Sequence, residues 1–159
     1  MTYVECPHED ALGEDDVSLF LAGGITGCED WQSEMVALLG ETPLVILNPR
    51  RKHFPIDAPR AAEQQITWEY RWLEEATAIA FWFPCETLCP IALFEYGKWL
   101  VRRKPLFVGT HPAYRRIVDG KIQTRLERPE QRIHHSLPAL ADEIKAWVGS
   151  LALVPKKTP

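Results

Sequence analysis

Two carboxylates stand out because of what surrounds them. Glu95 sits in Pro90-Ile91-Ala92-Leu93-Phe94-Glu95-Tyr96-Gly97, just after the buried-looking run Ile79-Ala80-Phe81-Trp82-Phe83-Pro84. Proline at the first position of a helix is favourable, so Pro90 opens a helix and Glu95 lies beyond its first turn, out of reach of the helix dipole. Its neighbours Ile91, Phe94 and Trp99 make an apolar setting, and an ionised carboxylate there is costly unless it is paired or used. Lys98, three residues on, offers a surface ion pair as the plain alternative, although such pairs contribute little. Glu69 poses the same question. At 100° per residue it falls within a stripe formed by Ala62, Ile66, Leu73 and Ala76, and its helical neighbours Gln65, Ile66, Trp72 and Leu73 include no cation. The alternatives for Glu69 are a distant arginine or a helix end that overhangs the sheet. Carboxylates placed this way suit nucleophilic or acid–base work.

Other motifs carry less. Gly23-Gly24-Ile25-Thr26-Gly27 resembles a phosphate-cradling loop in outline, but it is neither GxGxxG nor a P-loop; glycines here let a ligand or loop approach the backbone. Arg50-Arg51-Lys52-His53 could reach a phosphate, with a solvated loop the plainer reading. Trp68, Trp72 and Trp82 could stack on a base, but core packing explains such residues as well. No GxSxG accompanies His134-His135, and Cys85-x-x-x-Cys89 lacks a second ligand pair, so neither a hydrolase triad nor a metal centre is expected.

The elements that must hold these residues follow from the apolar pattern. Continuous apolar runs at 17–22, 44–47, 77–83 and 105–109, with a weaker fifth near 131–135, read as strands. Helical stretches at 31–39, 61–75, 90–102 and 137–148 separate them, and a short helix is expected near 113–117. Asp30 is a good N-cap and Gly40 a good stop for the first helix. Unalternated strands separated by helices predict a parallel sheet covered on both faces, a three-layer doubly wound α/β domain of about five strands. In that arrangement ligands sit beyond the carboxyl ends of the strands, so Gly23, Gly24, Asn48 and the 84–90 loop are expected to converge.

The chain's 159 residues suit one domain at 17–149, with an N-terminal extension at 1–16 and a tail at 150–159. A net charge of −4 argues against nucleic-acid or anionic-membrane partners. No run is long enough to span a membrane and the start lacks the pattern of a signal peptide, so a reduced, cytoplasmic setting is expected for the four cysteines.

Taken together, Phe20-Leu21-Ala22-Gly23-Gly24-Ile25, Asn48-Pro49, Trp68-Glu69, and Phe81-Trp82-Phe83-Pro84 with Leu93-Phe94-Glu95-Tyr96-Gly97 resemble the nucleoside 2-deoxyribosyltransferase family, in particular its 2-deoxyribosyltransferase-like branch of small bacterial proteins. The resemblance spans residues 17–148 and implies a flavodoxin-like sheet and cleavage of an N-glycosidic bond without a cofactor. It implies that Glu95 attacks C1′ to form a glycosyl-enzyme. It also implies that Glu69, 26 residues earlier, contacts the base of a small-molecule nucleoside or nucleotide. Cys89 stands where the family carries an aspartate, Phe20 where it carries a tyrosine, and Thr26 where related nucleotide hydrolases carry an arginine. Substrate contacts are expected from Phe20, Gly23, Gly24, Ile25, Asn48, Glu86 and Cys89, in a homo-oligomer. Hydrolysis of a nucleotide or modified nucleoside is the enzymatic alternative; a non-catalytic nucleotide-sensing module is the alternative of another class.

Overall fold

In the computed structural model, residues 1–9, 12–55 and 57–151 are described. The elements run β1 (Thr2–Glu5), β2 (Val17–Gly23), α1 (Trp31–Leu39), β3 (Leu44–Asn48), α2 (Ala61–Glu75), β4 (Ala78–Phe83), α3 (Pro90–Leu100), β5 (Leu106–Thr110), α4 (Ile117–Glu127), β6 (Ile133–His134) and α5 (Leu137–Leu151). The strands form one sheet in the order β1-β3-β2-β4-β5-β6, and every pairing is parallel. This is the three-layer arrangement that the unalternated apolar runs predict, with the flavodoxin-like sheet that the resemblance implies.

Each central strand feeds two cores. Side chains alternate across a strand, so Phe20, Ala22, Ile79 and Phe81 enter one core with Trp68, Trp72, Tyr96 and Trp99 of α2 and α3. Leu19, Leu21, Ala80 and Trp82 enter the other with Met35 of α1 and Leu140 and Ile144 of α5. All five residues of β3 and all six of β4 are buried, which is why the sequence shows no polar alternation there. The tryptophans proposed for base stacking are core residues: Trp68, Trp72 and Trp82 are each no more than 6% exposed.

Four expectations are revised. The sheet has six strands, because Thr2–Glu5, within the expected N-terminal extension, pairs along β3 with Tyr3 opposite Ile46. As an edge strand it buries only Val4 fully, so it leaves no apolar run to read. The short helix expected near 113–117 is instead α4, whose sole fully buried residue, Thr124, gives it no apolar period. The fifth expected strand shrinks to Ile133–His134, and α5 continues to Leu151. Residues 152–159 of the expected tail lie outside the described residues. Among the described residues no helix is long and apolar enough to cross a membrane.

Strand order reverses at β2, which has β3 on one side and β4 on the other. The crevice beyond the carboxyl ends of β2 and β4 is the topological switch point, where doubly wound folds place their ligands.

Candidate functional site

Glycines shape the floor of that crevice. Gly23 adopts φ +150°, and a Cβ there would lie 2.1 Å from the Trp82 carbonyl oxygen. A Cβ on Gly24 would lie 2.6 Å from Pro84 Cγ and 3.0 Å from Cys89 Sγ. Only residues without a side chain let β2 pass this close to the loop after β4. The turn is then pinned: the Gly24 carbonyl accepts from Trp31 Nε1 at 2.7 Å and from Gln32 Nε2 at 3.3 Å. On the other side Cys89, left-handed at φ 49°, ends the loop after β4 and serves as the N-cap residue of α3, with Pro90 next. A non-glycine residue in that conformation stores backbone strain of about 1–3 kcal/mol, a feature that clusters at functional sites.

Between this floor and the facing surfaces of α2 and α3 lies a cavity of about 630 Å³. Glu69 from α2 and Glu95 from α3 both line it, so two helices separated by a strand bring both carboxylates to one space. Burial raises the Glu95 carboxyl from its ordinary value of 4.5 to about 7, with the Glu69 charge adding to the rise and Lys98 opposing it. Lys98 does not pair with Glu95; its Nζ donates to Glu74 Oε1 of α2 at 2.8 Å. The surface ion pair considered for Glu95 is therefore absent. Burial also raises Glu69, against a hydrogen bond from Gln65 and the charge of Arg51. Gln65 is held in turn: its Nε2 donates to Glu69 Oε1 and to the Pro49 carbonyl, both at 2.7 Å, and its Oε1 accepts from Cys6 Sγ at 3.1 Å. Glu69 is thus oriented through one oxygen while the pair remains short of positive charge. Burial and the Glu69 charge make Glu95 the member that holds its proton to about pH 7 and becomes a carboxylate, able to act as a nucleophile, above it.

Phe20, Gly23, Gly24, Ile25 and Cys89 reach this cavity as expected. Asn48 and Glu86 do not. Asn48 is buried, donating from Nδ2 to Tyr3 Oη at 2.6 Å and accepting at Oδ1 from the Arg50 amide at 3.0 Å; it ties β1 to the loop after β3. Glu86 is exposed and faces a separate depression with Glu29, Trp31 and His111, because the loop after β4 directs it toward the α1 side of the sheet. The Cys89 thiol is pushed up to about 12 by burial and by the nearby Cys28 and Glu86, so it supplies no negative charge at the position of the family aspartate. Phe20 packs on Trp68 with centroids 5.9 Å apart and offers no hydroxyl.

Arg51, Gln65 and Thr87 also line the cavity; the sequence singled out Arg51 only within the basic loop that could reach a phosphate, and gave Gln65 and Thr87 no site role. An i−4 glutamine is a known partner for a helical carboxylate, and that signal was available for Gln65. Arg50, the other arginine of the basic loop, is spent on structure: its Nε donates to Gln32 Oε1 at 2.8 Å and lies 3.4 Å from Asp30 Oδ1, while Nη2 donates to the Glu29 carbonyl at 2.9 Å.

No curated protein matches the sequence. A family model described as nucleoside 2-deoxyribosyltransferase like matches residues 16–114, from the start of β2 through the loop after β5. That stretch holds both carboxylates, both glycines and the strained cysteine, and it is more than half of the 159 residues; the chain belongs to the nucleoside 2-deoxyribosyltransferase-like family.

Proposed function

We propose that the cavity between α2 and α3 binds a nucleoside and cleaves its N-glycosidic bond, with Glu95 as nucleophile and Glu69 as the acid facing the base. One observation carries this reading: two carboxylates from different helices, both raised by burial, line one cavity. In the first step a Glu95 oxygen bonds to C1′ as the bond from C1′ to the base nitrogen breaks. The electron pair leaves with the base, and in the reactive form, where the proton held by Glu95 has moved to Glu69, Glu69 delivers that proton to a ring nitrogen. The product is a glycosyl ester on Glu95, a free base and a Glu69 carboxylate. A second base or water then attacks C1′ from the vacated side, Glu69 recovers a proton, and the ester is released with net retention.

A nucleoside suits the cavity's charge better than a nucleotide. Glu69 and Glu95 oppose Arg51 alone among the charged residues lining it, and Arg50 is consumed by its own contacts. The test is release of free base from a panel of nucleosides and deoxynucleosides, with Glu95→Gln as the control. Transfer onto an added second base separates a transferase from a hydrolase. Binding without release, unaffected by Glu95→Gln, would leave only a sensing module. The reading also includes assembly of several copies: Ile91, Phe94 and Val101 of α3 and its C-terminal end are 63–76% exposed beside the cavity. Light scattering is expected to give a multiple of 18.2 kDa, and a monomer would contradict this part.

A further inference from the structure

We propose that the cavity favours a nucleoside whose base is a cation, its glycosidic ring nitrogen quaternary as in an N-glycosylpyridinium, over one with a neutral base. This rests on the reading of the cavity as a nucleoside site and adds the substrate class. Three charged residues line the cavity: Glu69 on α2, Glu95 on α3 and Arg51 on the loop after β3. Among the described residues neither carboxylate touches a cation. Glu95 has no hydrogen bond or ion pair, and Glu69 accepts only from the neutral Gln65 amide, at 2.7 Å. The nearby cations are held elsewhere. Arg51 donates from Nε to Cys6 Sγ at 3.4 Å and from Nη2 to Gln64 Oε1 at 2.7 Å. Lys98 donates to Glu74 Oε1 at 2.8 Å. Phe20, Ala22, Ile25, Pro90 and Ala92 give the cavity apolar walls, so a charge brought into it is less screened than in water. A positive ring complements two carboxylates that lack a contacting cation; a neutral base leaves them uncompensated.

The charge also serves the reaction. Glu95 holds its proton to about pH 7 through burial and the Glu69 charge, with Lys98 opposing. Burial raises Glu69 against Gln65 and Arg51, and the Cys89 thiol, pushed up to about 12, stays neutral. A positive ring in the same cavity favours the Glu95 carboxylate, and the displaced proton goes to solvent. A Glu95 oxygen then bonds to C1′ while the electron pair of the C1′–N bond returns to the ring nitrogen. The base leaves neutral, so the proton delivery that a neutral base requires drops out. Water opens the ester, giving free pentose, the Glu95 carboxylate and one proton to solvent.

Titration calorimetry on the unaltered chain compares two C-linked 2′-deoxyribosides of the same shape, one of 1-methylpyridinium attached at its third carbon and one of 3-methylbenzene. Neither has a C–N glycosidic bond, so neither turns over. At pH 8 the cation is expected to bind at least about tenfold more tightly. The preference is expected to shrink at pH 5.5, where Glu95 is protonated, and to lose that pH dependence in Glu95→Gln. In the double variant Glu69→Gln, Glu95→Gln the two affinities are expected to agree within about twofold. Equal affinities at pH 8, no binding of either compound, or a preference that survives the double variant would overturn the proposal. Base release from neutral nucleosides alongside equal affinities would sink this charge preference alone. A cation preference without base release from any nucleoside would sink the catalytic reading and leave the preference standing.

Discussion

Two hollows of nearly equal size open at the carboxyl end of the sheet, about 630 Å³ between α2 and α3 and about 620 Å³ between α1 and the loops after β4 and β5. Both are rich in carboxylates. In the second, Glu29, Asp30, Glu34 and Glu86 are exposed to water, and Asp30 is occupied with capping α1 through the Ser33 amide and pairing with Arg50. In the first, Glu69 and Glu95 are packed between helices, and burial is the leading cause of the rise in both. Location at the switch face and acidity alone do not make a reactive centre. Removal of carboxylates from water, with incomplete neutralisation, is what distinguishes the α2/α3 cavity.

That contrast breaks most sharply by substitution on each side. Glu95→Gln is expected to lower base release by roughly a thousandfold or more. Glu86→Gln, in the hollow where the carboxylates are exposed, is expected to stay within about twofold of the unaltered chain. A steady-state assay on the two variants decides it, and a large loss from Glu86→Gln would put the chemistry on the wrong side of the sheet.

The desolvation of Glu95 should also be visible in stability. Its carboxyl titrates near 7 when folded against 4.5 ordinarily. Between those pH values the unfolded chain gives up a proton that the folded chain keeps, so stability falls as pH rises through this window and stays lower above it. Glu95→Gln removes this dependence, gaining at most about 3 kcal/mol relative to the unaltered chain at pH 8 compared with pH 4. Denaturant titrations at the two pH values measure the difference; an equal gain at both would mean that the carboxylate is solvated.

Backbone clearance gives a similar contrast between two glycines. Gly24→Ala drives a methyl against Pro84 and Cys89 and is expected to cost about 1–3 kcal/mol. Gly97→Ala, in α3 with open space around its Cβ, is expected to be neutral or stabilising by up to about 1 kcal/mol. Thermal melts compare them. The smallest expected effect is on the acid limb of kcat/KM: Glu69→Gln removes a charge that raises Glu95, so in any residual activity that limb should move to lower pH. A limb that stays in place would show that the two carboxylates do not sense each other.

The fold was legible because central parallel strands buried on both faces leave unmistakable apolar runs, and because Asp30, Gly40 and Pro90 mark helix ends by local chemistry. Strand β1 was not, since an edge strand with exposed Tyr3 needs no such run. Glu95 and Glu69 could be found as carboxylates among apolar neighbours, yet the helical stripe drawn around Glu69 was wrong. Ile66 is 65% exposed and Ala62 is exposed too, while the buried face runs through Ala61, Trp68, Trp72 and Leu73. Glu69 flanks that face and lines the cavity shared with Glu95 of α3, a placement that no single-helix pattern encodes. Asn48 was expected in the site, whereas its amide donates to Tyr3 of a strand that the pattern hid. Arg50 and Arg51 are adjacent and chemically identical; only the path of the chain after Pro49 turns one to structure and the other to the cavity.

The central claim is a covalent pentosyl ester on Glu95. The direct measurement is mass spectrometry of the full chain, quenched in acid after brief mixing with a deoxynucleoside that the base-release assay shows to be a substrate, followed by peptide mapping. The account predicts a mass increase of one pentosyl group on the peptide containing Glu95, absent from Glu95→Gln. Base release with the adduct on another residue, or undiminished release by Glu95→Gln, would contradict it.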